Sequence, residues 1–371
     1  MKTFVSAMLG AALSFPLTSY GQNQAIPLHV DRSAAIQGLT QNASFGMLPV
    51  LAGNGGFYTR LVSSQGVEPQ VRWISRDGKN SAIFPLSRIP LDAPQTDFNV
   101  VDFTPLPDGG MAELVSLQRP RVSELFRIIE FNADGTYRRT IAPRQLSFSP
   151  NRIAAFSAGD FFLSGGTRDH FGWGSMSQAI VDDSGNIVKQ IDLRLATPTS
   201  DAWAGPMPIV KAQDSKQREQ DPRVAAASSP QAKLFQAATR SAALSGDDGY
   251  VYFTWPISEN LVYRISDRGN VQTIQLHPPQ MEGQSERLLS VQEDHGDLVA
   301  NSGVVARTAR NGFSVSSYVL QVYDAGNGAQ LATYATREPI GFGLVYFQPG
   351  RFYFLKKTGS AGFAILRSVP E

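Results

Sequence analysis

The sequence predicts an all-β fold, a six-bladed β-propeller of four-stranded antiparallel blades whose ring is closed by an N-terminal strand pairing with the C-terminal blade. Three observations predict it. Tight turns of one kind recur about every fifty residues, a second kind of hairpin lies between them, and the last repeat is one strand short.

The first kind of turn stands at Gly53-Asn54-Gly55-Gly56, Pro107-Asp108-Gly109-Gly110, Ser157-Ala158-Gly159-Asp160, Gly246-Asp247-Asp248-Gly249, Asp294-His295-Gly296-Asp297 and Gln348-Pro349-Gly350. Each is followed by an apolar or aromatic strand such as Tyr250 to Phe253. The glycines at 55, 109, 159, 249, 296 and 350 are separated by steps of 54, 50, 90, 47 and 54 residues. The long step contains an insertion, at about 196–239, between blades three and four.

The second kind is a strand, an Asp- or Asn-containing turn with glycine, and a further alternating strand. It runs through Asp77-Gly78, Asn132 to Gly135, Asp182 to Gly185, Ser266 to Gly269 and Asp324 to Gly328. Glycine, Asp and Asn suit these places because tight hairpin turns need a positive φ. Two hairpins in tandem make a four-stranded unit with strands A to D, and radial repetition of such units leaves few open sheet edges.

After Phe352 to Leu355 only one strand, Phe363 to Val369, is left for the last unit. Ala25-Ile26-Pro27-Leu28-His29-Val30 matches the outer strand Ala82 to Leu86 in pattern and supplies the missing strand D. Its proline is acceptable at a sheet edge. The pattern over residues 25–371, carried by the Asp-Gly hairpins, resembles the six-bladed propeller superfamily of the NHL-like and TolB-like type. That resemblance implies a fold and no single activity, since such propellers include enzymes, sugar and peptide binders and assembly platforms.

Composition limits the function classes. The 371 residues are 42% hydrophobic, enough for a large core, and 33 basic residues face 32 acidic ones without long blocks of either sign. Nucleic acid and anionic membrane surfaces are not expected partners. Residues 1–21 read as a signal peptide, with Lys2 before the uncharged run Phe4 to Leu17 and cleavage near Gly21, so the protein is expected to be secreted or periplasmic. Residues 22–371 then form one domain, expected to be a monomer without a membrane span. Cysteine is absent, which excludes thiol chemistry and disulfides.

The A-B and C-D turns leave one face of such a propeller, while the irregular B-C loops and D-A crossovers leave the other, where sites on rigid scaffolds usually lie. There the insertion holds Trp203, a polar run from Lys211 to Arg223 and the helix-prone stretch Pro230 to Ala238. Beside it, the B-C loop Ser164 to Ser175 gathers Arg168, Asp169, His170 and Trp173 among glycines. Trp255, His277 and Arg307 come from neighbouring loops. These seven residues are the candidate binding site, an apolar wall with converging polar groups.

No catalytic residue is identified, and neither a metal site nor a cofactor is expected. His170 and His277 lack an HxH or HExxH spacing, Asp182 to Asn186 lacks the later Glu of a calcium loop, and no Gly-x-Ser-x-Gly elbow or phosphate loop is present. His295, in an A-B turn, is assigned to the opposite face. The expected function is a module that binds a small ligand, peptide, saccharide or protein. The alternative is a hydrolase or lyase on a sugar or peptide, with Arg168, Asp169 and His170 as its acid-base and anion-stabilising groups.

Overall fold

A computed structural model describes residues 25–37, 44–45, 51–62, 70–85, 97–118, 125–169, 172–195, 234, 237–238, 240–255, 260–277, 285–307, 313–336, 340, 344–358 and 362–371. The strands are β1 (Ile26–Ala35), β2 (Ser44–Phe45), β3 (Leu51–Gly53), β4 (Gly56–Val62), β5 (Gln70–Ser75), β6 (Ser81–Pro85), β7 (Asp97–Pro105), β8 (Met111–Gln118), β9 (Leu125–Phe131), β10 (Tyr137–Ile141), β11 (Ser149–Ala155), β12 (Phe161–Asp169) and β13 (Gly172–Val181). They continue as β14 (Ile187–Ile191), β15 (Ala242–Ser245), β16 (Val251–Thr254), β17 (Leu261–Ile265), β18 (Val271–Gln275), β19 (Ser285–Asp294), β20 (Asp297–Arg307), β21 (Phe313–Asp324), β22 (Gln330–Thr336), β23 (Leu344–Gln348), β24 (Arg351–Thr358) and β25 (Gly362–Pro370).

The result is an all-β, propeller-like fold of antiparallel sheets. Three sheets are four-stranded, in the orders β7-β8-β9-β10, β11-β12-β13-β14 and β15-β16-β17-β18. In a fourth, β4, β5 and β6 follow an innermost strand split into β2 and β3. The remaining strands form one eight-stranded sheet, β19-β20-β21-β22-β1-β25-β24-β23. Hydrogen bonding therefore gives five sheets where the sequence suggests six blades.

The difference has a local cause. β1 pairs antiparallel with β25, from Leu28 opposite Pro370 to Ala35 opposite Ala364, and it also meets β22 in a short parallel contact from Ile26 opposite Tyr334 to Leu28 opposite Thr336. Pro27, in the middle of that contact, has no N–H to give.

The glycine turns behave as their sequences demand. Gly55, Gly109, Gly159, Gly249, Gly296 and Gly350 in the first kind, and Gly78, Gly135, Gly185, Gly269 and Gly328 in the second, all have positive φ. The second kind also packs closely. A methyl group at Gly135 would lie 2.1 Å from the Ile83 carbonyl oxygen, and one at Gly185 2.2 Å from that of Ala142. Gly78 stands in the same way against the Ala35 carbonyl oxygen, while Gly269 faces the Lys189 side chain and Gly328 makes an ordinary contact with Ile274, so each such turn rests on or just beyond a strand of the preceding sheet.

Packing follows the alternation of the strands. Tyr58 and Phe84 of one sheet meet Phe131 of the next, in tilted and edge-on contacts with ring centroids 5.9 and 6.1 Å apart. Among the described residues the exposed large hydrophobics are Ile83 on β6, Tyr137 on β10, Val188 on β14 and Val271 on β18, all sheet-edge strands, with Leu331 on β22 and Ile26 and Val30 on β1, where these two strands meet in the middle of the eight-stranded sheet.

At the centre, polar side chains tie inner strands together. The Ile153 amide donates to Asp102 Oδ2 at 3.0 Å, the Ala155 amide to Ser245 Oγ at 2.8 Å, and the Thr104 and Ser245 hydroxyls lie 2.9 Å apart. Leu234, Ala237, Ala238 and Arg240, from the end of the insertion and just beyond it, are helical, and the first three join the core beside Phe253. Residues 1–24 and 196–233, with the expected signal peptide and most of the insertion, lie outside the described residues. No helix among the described residues is long and apolar enough to cross a membrane.

Candidate functional site

The expected B-C loop at Ser164 to Ser175 is mostly strand. β12 and β13 remain paired as far as Arg168 opposite Trp173 and Asp169 opposite Gly172, beyond an irregularity between Gly166 and Arg168. The Thr167 hydroxyl accepts the Ser175 amide at 3.0 Å, which holds the hairpin together past its glycines. Arg307 likewise ends β20, opposite Phe313. The side chains of Arg168, Asp169, Trp173 and Arg307, and the whole of His170, lie outside the described residues.

Trp255 is 1% exposed and packs in the core with Phe253, Tyr263, Leu234 and Ala238, so it is part of the core cluster that residues from the end of the insertion join. His277 has an exposed side chain, while its backbone amide donates to the Tyr323 hydroxyl at 2.9 Å and its carbonyl accepts from Gln321. The structure thus sets Arg168 opposite Trp173 and sends Trp255 to the core and His277 to the surface.

The fold concentrates titratable groups elsewhere, at two neighbouring turns of the first kind. The turn from β15 to β16 carries Asp247 and Asp248. The turn from β19 to β20 carries Asp294 and His295, with Glu293 just before them.

Each acid is held differently. Asp248 Oδ2 accepts from the Tyr252 hydroxyl at 2.7 Å and from Arg264 at 2.9 Å, and the Arg264 guanidinium lies 3.5 Å from the centre of the Tyr250 ring. That pairing makes Asp248 a strut of its turn. Glu293 bridges the turns, accepting the Asp247 amide at 2.6 Å and the Gly296 amide at 2.7 Å. Burial nonetheless pushes its carboxyl up to about 7, because two amides offset only part of the lost hydration.

Asp247, Asp294 and His295 place one donor atom each within 4.8 Å of one another. His295 Nδ1 donates to Asp294 Oδ1 at 2.8 Å, and this bond raises the imidazole above its ordinary value. Burial, then the hydrogen bond and charge of Asp294, raise Asp247. His295 has a φ of 54°, where the equivalent residue of the first such turn is Asn54 with a φ of 52°. An imidazole thus occupies a left-handed position that Asn fills more readily. These three groups could hold a cation, although three donors are half or fewer of the six to eight oxygens that calcium takes.

Beside Glu293 the inner strands leave an axial recess of about 260 Å³ including its open mouth, lined by Ala52, Pro105, Leu244, Ser245, Val291, Gln292 and Glu293. Its walls come from β3, β7, β15 and β19, four different units around the axis. The sequence reading treats these two turns only as hairpins. The available signal was their charge: each carries an adjacent pair of titratable residues, and the other four turns of the kind do not.

No protein-family model matches this chain, and no curated protein does. Among solved structures, a member of the DUF4221 family from Bacteroides vulgatus is similar over 94% of this chain and 99% of its own, at 11% identity and a TM-score of 0.51. A protein of unknown function from Dyadobacter fermentans covers 93% and 99%, at 11% identity and 0.46. An endosialidase of phage phi92 covers 91% and 69%, at 8% identity and 0.44. The likeness to the DUF4221 member defines the class, a β-propeller-like all-β protein, and extends no further than the fold.

Proposed function

We propose that the chain is an exported six-bladed β-propeller of the NHL-like and TolB-like type. It binds a ligand or partner, without turning it over, at the axial end of its first-kind turns. Six blades are supported by the six strands that carry exposed hydrophobics and by the glycine turns that each rest on or just beyond a strand of the preceding sheet. Where a sixth second-kind turn would stand, the chain ends lie instead, and β1 contacts β22 directly. The eight-stranded sheet then counts as two blades. Export rests on the character of residues 1–21.

The observation that carries the binding reading is the gathering of Asp247, Asp294 and His295 next to Glu293, which itself lines the axial recess. An anionic concave mouth attracts cations and basic groups from solution. Thermal-shift screening against metals, saccharides, amines and peptides tests this, with an Asp247→Asn/Asp294→Asn variant alongside. Stabilisation should occur in the parent and be lost in the variant, with the ligand recovered intact. Shifts that survive the double substitution would move the site elsewhere on the ring.

Glu293, pushed up to about 7, favours a second reading, because a carboxyl at that value can act as a general acid or base. Consumption of a saccharide or peptide, abolished by Glu293→Gln, would replace the binder with an enzyme.

A further inference from the structure

We infer that two copies of this chain associate through β18 (Val271–Gln275), each strand pairing antiparallel with its mate about a two-fold axis at Thr273. This goes beyond the binding reading and is independent of it, since it uses the outer edge of one sheet and not the axial end.

Strands β6, β10, β14 and β18 each end their sheet, whereas β22 is met by β1. An open edge is a row of free N–H and C=O groups, which proteins protect with proline, charge or cover. β6 carries Pro85, and the Gly135 turn stands against its Ile83 carbonyl oxygen. β10 carries Arg138 and Arg139, and β14 carries Lys189. β18 reads Val-Gln-Thr-Ile-Gln, with neither proline nor charge, and the next turn, at Gly328, meets Ile274 at its Cγ2 and not at an edge carbonyl.

The open groups follow from the ladder. The Ser266 amide donates to the Asn270 carbonyl and the Leu276 amide to the Asn260 carbonyl, while Leu261 stands opposite Gln275. Bonded pairs on the β17 side alternate, so they take in Gln272 and Ile274. Val271, Thr273 and Gln275 therefore turn their N–H and C=O outward. A second copy laid antiparallel, with Thr273 opposite Thr273, sets Val271 opposite Gln275 on both sides of the axis and satisfies all of these groups at once.

The residue on the axis separates β18 from the other edges. The middle residue of β10 is Arg139 and that of β14 is Lys189, so the same pairing there would set like charges opposite each other, which is destabilising. Thr273 is exposed and uncharged, and a Thr pair across two strands is favourable. Val271, 41% exposed, gains cover from the mate's Gln275. A five-residue edge falls below the roughly 1,200 Å² of a standard interface, so the dimer forms and dissociates with concentration.

Sedimentation equilibrium of the intact protein over a concentration series should show monomer and dimer in exchange. Thr273→Lys places like charges on the axis, and Thr273→Pro removes an outward N–H while sparing the β17 ladder. Each should raise the dissociation constant at least tenfold. Val188→Lys, which adds the same charge to an exposed position of β14, should leave it unchanged. The chain has no cysteine, so Thr273→Cys supplies a single thiol, whose Cα would lie about 5.5 Å from its mate's. Oxidation should crosslink this variant at concentrations where Val188→Cys stays monomeric. A parent protein that stays monomeric at millimolar concentration would overturn the inference, as would a dimer indifferent to both Thr273→Lys and Thr273→Pro. A monomeric parent that binds the peptide Val-Gln-Thr-Ile-Gln would also overturn it, and would give the edge to a foreign strand.

Discussion

Two groups of buried acids in this molecule are held in opposite ways. In the interior, Asp102 accepts the Ile153 amide beside Arg152, whose guanidinium donates to the Ser241 and Asn151 carbonyls. Glu113, beside Arg60, is 0% exposed and its carboxylate makes no hydrogen bond among the described residues. At the axial end, Glu293 and Asp294 are also buried, but they stand beside turns and contact backbone amides and an imidazole, and Glu293 lines a recess open to water. Asp102 joins one sheet to the next, and Glu113 lies beside a cation of the neighbouring sheet. The acids at the mouth crowd like charges against each other where solvent can enter, and that arrangement serves a visiting cation better than it serves stability.

The comparison breaks hardest at Arg152. Arg152→Met leaves Asp102 buried without its cation, and denaturant unfolding should show a loss of about 3–5 kcal/mol. A loss below about 1 kcal/mol would mean that the interior charges are no more structural than those at the mouth.

Glu113 comes next. Burial raises its carboxyl well above the ordinary value, raises Asp102 to about 6 and raises Glu293 to about 7. For an acid whose folded value lies above its unfolded one, the folded state holds the proton more tightly. Stability is then full below the unfolded value, near 4, and falls as pH rises toward the folded value. The melting temperature should therefore decline between about pH 4.5 and pH 7. Glu113→Gln should raise it at pH 8 and leave it unchanged at pH 4.5.

At the mouth the sign reverses. Asp247→Asn/Asp294→Asn removes like-charge crowding and should leave stability at pH 7 equal or slightly higher, by less than about 1 kcal/mol, while cation binding disappears. The smallest effect is expected at His295, where His295→Asn keeps a residue suited to positive φ. Denaturant unfolding should detect a change within about 0.5 kcal/mol.

The two regions also differ in how far the sequence reveals them. Glycine with Asp or Asn is a local signal, since a turn needs positive φ wherever it sits, and so the hairpins, the short last repeat and its completion by residues near Leu28 can be read directly. The parallel contact of β1 with β22 depends on two edges meeting in space, and no local pattern announces it. Loop lengths misled for a related reason: Gly165 and Gly166 look like breakers, yet the β12–β13 ladder runs through them to Asp169. Trp255 reads as a loop aromatic until Leu234, Ala237 and Ala238 are seen to share its core cluster. The mouth escaped notice because Asp247 and Asp294 are 47 positions apart, and only the stacking of neighbouring units makes them adjacent.

The pairing of β1 with β25 brings together positions such as Asp31 and Arg367, 336 residues apart. During synthesis β1 must wait without this partner until Arg367, 336 residues after Asp31, has emerged, so this pairing is a late and slow event governed by sequence separation. Until then an unsatisfied strand edge is open to misassociation, and chaperone demand should concentrate in that interval.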